Sequence, residues 1–534
     1  MQAVFGTIIR FLSSRRNRPI FWLILIMCIG IFLRVYRFAD FLEIHSDHAR
    51  DMLIAKHIVE YKEGYMAAPY ALGSEGRVKN SPVYYWVLAS MWTLSRSTVG
   101  MGLVFALVSA TIIGLGYAIG LSLAGVRMGL LVSFFLSISD MLVRDAHAVW
   151  PPHLLSVVAM GAFCAMARYG KEHRFVWMIL FVTALFLGVH IHQSFLPFFG
   201  IGIAWSMWQS VRNLKRAVGI AVYIVFHTVL WVVLTENTSD VFLRYLDLIS
   251  TKADIFSLMS ASWYRMFQGV KVLFSHTPDM VSYIYIFAMI ISFLFVLKNK
   301  RRDERMITVA VFFVGMILYG VYRNNGAIIL PEYYLRVPSL LFILTLSYCM
   351  AVLIRNTRIL VCFMCLTGVL LGVGNLRYFR TSQGNYYDYY QVTKQSAGDY
   401  RRITGDTHGK RIMFYTKYFS RQPDSWRFVW AAAPHVYLLE EILGEQVVTI
   451  PAQDDNFLAP ITQPDSVIYL TCINNLGKMW ETDDAFRSKC LNPFLSHYGK
   501  YLSLHRQSQL RLFYGANGDT YWTYRFTPAM AKDL

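Results

Sequence analysis

A short stretch after the first long apolar run combines acidic, basic and imidazole side chains. It reads Ile44-His45-Ser46-Asp47-His48-Ala49-Arg50-Asp51, and a helical pattern follows it. In a helix over residues 47–58, Asp47, Arg50 and Asp51 share one face at positions i, i+3 and i+4. Asp47 could then act as a general base on a hydroxyl group, while Arg50 holds Asp51 or a phosphate. The alternative is structural: Asp47 caps the helix and both aspartates pair with Arg50.

A second charged cluster reads Arg144-Asp145-Ala146-His147-Ala148-Val149-Trp150-Pro151-Pro152-His153. The two prolines suit the start of a helix, and Trp150 suits a membrane interface. Arg144 could neutralise a phosphate, but a pairing with Asp145 or with a lipid headgroup explains it equally well. Asp145 could also be a ligand for a divalent cation, for which a single carboxylate is a sparse ligand set.

Two further turns place polar side chains beside apolar runs. One reads His190-Ile191-His192-Gln193, and the other contains Pro331-Glu332-Tyr333-Tyr334-Leu335-Arg336. His192 has either a specific role or an ordinary packing role, and zinc is not indicated because histidines two residues apart point away from each other on a helix. The tyrosines fit an aromatic belt at the membrane surface. Arg336 could instead receive a phosphate, to which Tyr334 could donate a hydrogen bond.

The composition indicates where these clusters reside. The chain has 534 residues, of which 55% are hydrophobic and 16% are aromatic. The apolar residues form long runs between short charged connections, a pattern that is typical of a membrane protein and argues against a soluble globule. The net charge of +18 lies largely in basic clusters beside those runs, where membrane orientation and lipid headgroups explain it. We therefore expect the lipid bilayer, and no nucleic acid, as a partner.

Apolar runs near the roughly 20 residues that cross a bilayer core predict about eleven transmembrane helices. The predicted spans are 19–38, 99–123, 128–142, 152–168, 175–190, 193–211, 214–234, 280–297, 305–322, 337–354 and 357–375. The shorter apolar run 82–95 is predicted to be a re-entrant or interfacial helix. It lies within a first outer loop of residues 39–98, and the whole transmembrane domain covers residues 1–376.

Basic residues mark every second connection between the predicted spans. They are Arg15, Arg16, Arg18, Arg127, Arg168, Lys171, Arg174, Arg212, Lys215, Arg216 and the runs 298–305 and 355–358. Because loops rich in Lys and Arg stay in the cytoplasm, this pattern predicts a cytoplasmic N-terminus and an extracytoplasmic tail.

The tail, residues 377–534, differs in character from the rest of the chain. Short β-like runs alternate with helical stretches, which predicts a small α/β domain. The predicted strands are Arg411 to Tyr415, Val447 to Ile450, Ser466 to Cys472 and Leu510 to Tyr514, and the predicted helices are Tyr386 to Ile403 and Trp426 to Leu443.

With these motifs in this order, the sequence resembles the C-type superfamily (GT-C) of polyprenyl-phosphate-sugar glycosyltransferases. It is most similar to bacterial glycosyltransferase family 39, which is related to protein O-mannosyltransferases and the lipid A aminoarabinose transferase. The stretch Asp47 to Asp51 resembles an Asp-x-Gly-Arg-Asp pattern, and Pro82-Val83-Tyr84-Tyr85 resembles Gly-Pro-Leu-Tyr-Tyr. Arg144 to Leu155 is similar to Arg-x-x-Trp-Asn-Pro-Asn-Leu-Leu, and Glu332 to Leu335 to a late-loop tyrosine motif. The departures are Ala49, Ser81, Pro151 and His153.

The resemblance implies an inverting transfer of a sugar from a polyprenyl-phosphate donor to an acceptor hydroxyl on the outer face of the membrane. Asp47 is the implied catalytic base. The implied donor-phosphate ligands are Arg50, Lys79, Arg144, Arg336 and Tyr334, with Asp51, Asp145, His192 and Glu332 in supporting roles. Some members of the superfamily use a divalent cation and others do not. The implied location is a bacterial inner membrane, with the C-terminal domain in the periplasm or outside the cell.

Two other classes of protein fit many helices with charges beside them. A lipid or polysaccharide transporter is one, although such proteins often show paired half-repeats and charges at mid-bilayer, whereas this sequence shows no repeat and gathers its charges on one side. An inactive scaffold subunit is the other. The sugar and the acceptor stay open at this point: a protein hydroxyl, lipid A, a cell-wall polymer and another lipid all fit.

Overall fold

The computed structural model describes residues 18–44, 46–62, 81–211, 213–235, 336–354 and 356–384, together with five strands and a few helical positions in the tail. These residues form two compact units. The first contains the described residues up to Phe38, those from Ser81 to Tyr84 and those from Gly102 to Ser382. The second contains the described residues from Ala39 to position 62, those from Tyr85 to Met101 and those from Gln383 onward.

Most of the described chain is helical. The helices are α1 (Arg18–Val35), α2 (Phe38–Phe41), α3 (Ser46–Glu60), α4 (Val83–Ser95), α5 (Thr98–Leu123), α6 (Val126–Ile138), α7 (Asp140–Asp145), α8 (Pro151–Glu172), α9 (Phe175–Ile191), α10 (Leu196–Ser210), α11 (Leu214–Thr235), α12 (Arg336–Leu353) and α13 (Thr357–Thr381). A short 3-10 helix, Gln193–Phe195, precedes α10.

The predicted helical membrane architecture is confirmed, and the number of transmembrane helices stays a prediction. Nine of the eleven predicted spans coincide with described helices, and the other two, 280–297 and 305–322, lie outside the described residues. Helices α1, α5, α8, α11 and α13 are each long and apolar enough to cross a membrane. The run predicted as re-entrant is α4, whose 13 residues extend about 20 Å and are too short to cross a bilayer core. The protein is a polytopic α-helical membrane protein.

Helix α6 lies at the centre of the first unit, in contact with α1, α12 and α13. Its close approach to α5 depends on small residues. A Cβ atom at Gly120 of α5 would lie 2.4 Å from the backbone nitrogen of Gly129 in α6, closer than any real contact. Gly116 lies one turn earlier on the same face, where a Cβ atom would meet Val132 and Leu136. The pair therefore forms a small-xxx-small contact of the kind that lets transmembrane helices pack backbone to backbone.

The third predicted span, 128–142, is not one continuous helix. It breaks at Ser139, whose backbone is extended (φ −60°, ψ 118°), so that α6 ends and α7 begins there. The break leaves carbonyl groups of the last turn of α6 without their usual donors. Arg34 of α1, fully buried, donates to two of them, through Nη2 to the Leu136 carbonyl (2.9 Å) and through Nη1 to the Ser137 carbonyl (3.2 Å). A buried guanidinium thus stabilises the interruption.

Several helices keep apolar surface uncovered by protein. In the most apolar 18-residue stretch of each helix, only 11% of the residues of α11 and 17% of those of α1 are buried. Large side chains such as Trp22, Phe32, Val222 and Phe226 are exposed on them. Apolar area of this extent on successive helices matches the hydrocarbon of a bilayer.

The second unit contains a mixed five-stranded sheet. Its strands are β1 (Arg411–Thr416), β2 (Val447–Pro451), β3 (Ser466–Thr471), β4 (Leu502–Arg511) and β5 (Thr520–Pro528), in the order β2-β1-β3-β5-β4. β1 pairs in parallel with β2 and β3, and β5 pairs antiparallel with β3 and β4.

The first three strands match their predicted bounds closely. The fourth does not: the prediction of Leu510 to Tyr514 overlaps β4 only at Leu510 and Arg511, and β5 was not predicted. The sequence of β4 is largely polar, so no apolar alternation marks it. Of the two predicted tail helices, Tyr386 to Ile403 and Trp426 to Leu443, the structure describes helical positions between 386 and 394 and between 437 and 442.

Candidate functional site

Helix α3 carries the first predicted charge cluster. Its first turn contains Asp47, where a carboxylate interacts favourably with the positive end of the helix dipole. The predicted shared face is observed. Arg50 Nη1 lies 2.7 Å from Asp47 Oδ1, and Arg50 Nη2 lies 2.8 Å from Asp51 Oδ1. One guanidinium therefore joins two carboxylates one turn apart. The alternative in which both aspartates pair with Arg50 requires the same contacts.

The two carboxylates differ in exposure, which gives them different chemistry. The Asp51 side chain is fully buried, whereas the Asp47 side chain is 33% exposed and that of Arg50 is 18% exposed. Asp51 Oδ1 also accepts a hydrogen bond from the hydroxyl of Tyr85 on α4, at 3.2 Å. Asp51 is thus suited to hold Arg50 in place, while Asp47 is open to a reactant. Sequence reasoning named Tyr85 only as part of a motif, because nothing local links it to a residue 34 positions earlier.

Burial and charge together set the protonation equilibria of this cluster. Burial raises the pKa of Asp51 to about 6, against the opposing effect of Arg50. Burial lowers the pKa of Arg50, but Asp51 and Asp47 more than reverse this effect, so the pKa of Arg50 lies above its usual value. Asp51 Oδ2 has no hydrogen-bond partner among the residues that the structure describes. A buried carboxylate oxygen without a hydrogen-bond partner makes ionisation of the group costly, in agreement with the raised pKa.

The second predicted cluster, in the first unit, is organised around Asp145 at the end of α7. Arg336, the first residue of α12, donates to both carboxylate oxygens, from Nε to Oδ2 at 2.8 Å and from Nη2 to Oδ1 at 2.5 Å. Both side chains are buried. Burial raises the pKa of Asp145, but Arg336 and then His153 outweigh it, so the net shift is downward. This is a bidentate, buried ion pair.

His153 completes that pair. Its Nδ1 lies 2.8 Å from the carbonyl oxygen of Ala148, which requires a proton on Nδ1. Its Nε2 lies 3.5 Å from Asp145 Oδ1 and 3.3 Å from Arg336 Nη2. Sequence reasoning treated His153 only as a departure from an asparagine pattern and missed this contact.

Arg144 lies near a second carboxylate of α7 besides that of Asp145, whose pKa the charge of Arg144 also lowers. Its Nε lies 3.7 Å from Oδ2 of Asp140, one turn earlier on α7. Its side chain is 27% exposed, whereas that of Arg336 is 8% exposed. Arg144 is therefore the more accessible of the two guanidinium groups.

The imidazole of His192 forms a local turn. Its Nδ1 lies 2.8 Å from Ser194 Oγ and accepts a hydrogen bond from the Ser194 backbone N–H at 3.2 Å. The neighbouring His190 is buried, and its Nδ1 lies 2.8 Å from Oγ of Ser81, which precedes α4. Both histidine contacts order the C-terminal end of α9, which is a structural role.

Three predicted site residues, Lys79, Glu332 and Tyr334, lie outside the described residues. Two carboxylates of the predicted site, Asp51 and Asp145, each accept hydrogen bonds from an arginine. Asp51 accepts from Arg50 and Tyr85, and Asp145 accepts from Arg336. No group of three or more His, Cys, Asp or Glu side chains that could hold a metal ion occurs in the described part of the chain.

The architecture is the fold seen in solved structures of ArnT. Two solved structures of ArnT from Cupriavidus metallidurans are similar along nearly the whole chain. The apo structure is 12% identical, covers 94% of this chain and 97% of its own, and gives a TM-score of 0.55. The structure bound to undecaprenyl phosphate is 12% identical, covers 96% of this chain and 98% of its own, and gives a TM-score of 0.53. No protein-family model and no curated protein sequence matches the chain.

Proposed function

We propose that the protein is a membrane glycosyltransferase that moves a sugar from a polyprenyl-phosphate donor to an acceptor hydroxyl. The observation that carries the proposal is the pair formed by the accessible carboxylate of Asp47 and the guanidinium of Arg50, in a chain with this fold. One ArnT structure of that fold is bound to undecaprenyl phosphate. A polyprenyl phosphate is therefore the donor carrier that we assign, with a glycan, a lipid or a protein as the acceptor.

The proposed reaction is a single displacement. The acceptor oxygen attacks the anomeric carbon of the sugar, and Asp47 receives the proton of the acceptor hydroxyl. The bond between the anomeric carbon and the phosphate oxygen breaks, and its electron pair leaves with the polyprenyl phosphate. The configuration at the anomeric carbon is inverted. A phosphate leaving group is stable as an anion, so it needs positive charge and no general acid.

Cationic side chains supply that charge in the proposal. Arg50 is held by two carboxylates, so its guanidinium keeps a fixed direction, which favours stabilisation of a developing negative charge. Arg144 is partly exposed and suits direct contact with a phosphate. Arg336 commits Nε and Nη2 to Asp145, and Nη1 is its one nitrogen without a partner in the described chain. Lys79 and Tyr334 stay in the set as implied by the sequence resemblance.

We also propose that transfer takes place on the outer face of a bacterial inner membrane, where the donor must arrive on a lipid carrier. Two contacts support the predicted sidedness. Arg127 Nη2 lies 3.1 Å from Thr357 Oγ1, so two connections predicted to be cytoplasmic meet each other. Asp145 and Arg336 bring together two turns predicted to be outside. The cytoplasmic N-terminus and the extracytoplasmic tail are part of this proposal.

A deletion strain tests the proposal. We expect loss of the protein to remove one sugar from a glycolipid, glycan or glycoprotein and to accumulate its polyprenyl-phosphate precursor, as measured by mass spectrometry of lipid and glycan extracts. Wild-type protein should restore the sugar, and Asp47→Asn, produced at the same level, should not. Restoration by Asp47→Asn would instead favour a transporter or a scaffold, because neither needs a general base.

A further inference from the structure

A second polar cluster in the second unit has no part in the proposed chemistry. It lies on α3 and joins that helix to the tail. The Glu440 carboxylate is fully buried and lies 3.1 Å from Lys56 Nζ through Oε2. His57 Nε2 lies 2.8 Å from Oε1 and 3.0 Å from Oε2 of the same carboxylate. Lys56 and His57 are buried as well, with 4% and 3% of their side chains exposed.

The same cluster extends to α4. Lys56 Nζ lies 3.9 Å from Glu60 Oε2, and the indole N–H of Trp92 donates to Glu60 Oε1 at 2.9 Å. Lys56 is thus placed between two carboxylates, of which Glu440 is much the nearer. Buried charges are costly unless they are paired, so these contacts fix where the last two turns of α3 can lie.

Lys56 and Glu60 lie on the side of α3 opposite the proposed base. At 100° per residue, Lys56 is nine positions after Asp47 and lies about 180° around the helix from it, and Glu60 lies about 220° around. His57, at about 280°, lies beside them. Asp51, at about 40°, shares the side of Asp47. Tyr85 therefore anchors α3 through Asp51 on one side, and Glu440 anchors it on the other. Two anchors on opposite sides determine the rotation of a helix about its axis.

We propose that Glu440 is a positioning residue for the transfer reaction. By holding Lys56 and His57, its carboxylate fixes the rotation of α3 and with it the direction of the Asp47 carboxylate. The inference rests on the proposed function and gives the tail a role in it. Catalysis by an oriented base depends steeply on geometry, and a misplacement of about 1 Å can lower a rate about 100-fold.

The test compares Glu440→Gln, Glu440→Asp and Glu441→Gln in the full-length protein in nanodiscs. Gln keeps the size of Glu and removes its charge, and Asp keeps the charge. Glu441 is the matched control, since it is the next residue and bonds to the backbone and hydroxyl of Thr98 rather than to α3. The donor is the lipid extract of the deletion strain, and release of polyprenyl phosphate is followed by mass spectrometry. Binding of undecaprenyl phosphate, counted by native mass spectrometry, reports the folded fraction.

We expect Glu440→Gln to lower kcat about 10- to 100-fold, with the donor KM changed by less than about threefold and lipid stoichiometry unchanged. Glu440→Asp should recover most of the lost kcat, and Glu441→Gln should resemble wild type. If Glu440→Gln does not fold, its combination with Lys56→Met removes both buried charges and takes its place, with the same loss of kcat expected. Wild-type kcat in folded Glu440→Gln, or in the folded combination with Lys56→Met, would overturn the inference alone, whereas an active Asp47→Asn would overturn the proposed function.

Discussion

Protonation of Asp51 should give the folded protein a pH-dependent stability that Asp51→Asn removes. Burial raises the pKa of this carboxyl from 3.8 to about 6. The folded protein therefore binds the proton more tightly than the unfolded chain does. The stability from this group is fully present below pH 4 and is lost as the pH rises through 6. A shift of about two pKa units corresponds to about 3 kcal/mol, at about 1.4 kcal/mol per unit.

The assay is unfolding of purified protein by SDS in mixed micelles, followed by fluorescence of its 13 tryptophans between pH 4 and pH 7.5. The informative quantity is the difference in unfolding free energy between wild type and Asp51→Asn, because the other titrating groups are common to both. We expect wild type to lose about 2.5 kcal/mol relative to the variant across this range, since a small part of the effect is already lost at pH 4. A difference that stays constant, or one that grows in favour of wild type as the pH rises, would refute the reasoning.

Two further predictions concern packing and pairing in the first unit. Gly120→Ala should destabilise the protein by about 1–3 kcal/mol, because the added Cβ would overlap the backbone of Gly129. The control is Gly114→Ala, whose Cβ meets nothing within 4 Å and which should be tolerated. Equal thermal unfolding temperatures of the two variants in detergent would contradict this prediction. Asp145→Asn should cost about 3–5 kcal/mol by leaving Arg336 unpaired, and Asp145→Leu combined with Arg336→Met should recover most of that loss in SDS unfolding. A double variant as unstable as the single one would show that the ion pair is not the cause.

Local periodicity explains why much of the fold could be predicted from the sequence. Asp47, Arg50 and Asp51 meet because helical spacing alone brings positions i, i+3 and i+4 together. The five helices long enough to cross a membrane are predictable because a bilayer of fixed thickness demands apolar runs of one length. Strands β1 to β3 carry continuous apolar and β-branched residues, so their type and bounds were also predictable.

What could not be predicted depends on contacts between distant parts of the chain. Arg336 lies 191 positions from Asp145 and Glu440 lies 383 positions from His57, and no local pattern selects these partners. The sequence offered Arg144 as a partner of Asp145, but the residue that donates to both oxygens of that carboxylate is Arg336. The break at Ser139 was hidden for the same reason, since Arg34, which stabilises it, is 102 positions from Leu136.

Transfer by purified Asp47→Asn is the most direct test of the central claim that Asp47 is the catalytic base. Wild type and variant are compared in nanodiscs with donor lipid from the deletion strain, and polyprenyl phosphate and glycosylated product are both quantified. We predict that undecaprenyl phosphate still binds the variant, while its transfer rate falls by at least about 100-fold, the usual scale of general base catalysis. A transfer rate of the variant within about twofold of the wild-type rate would contradict the account.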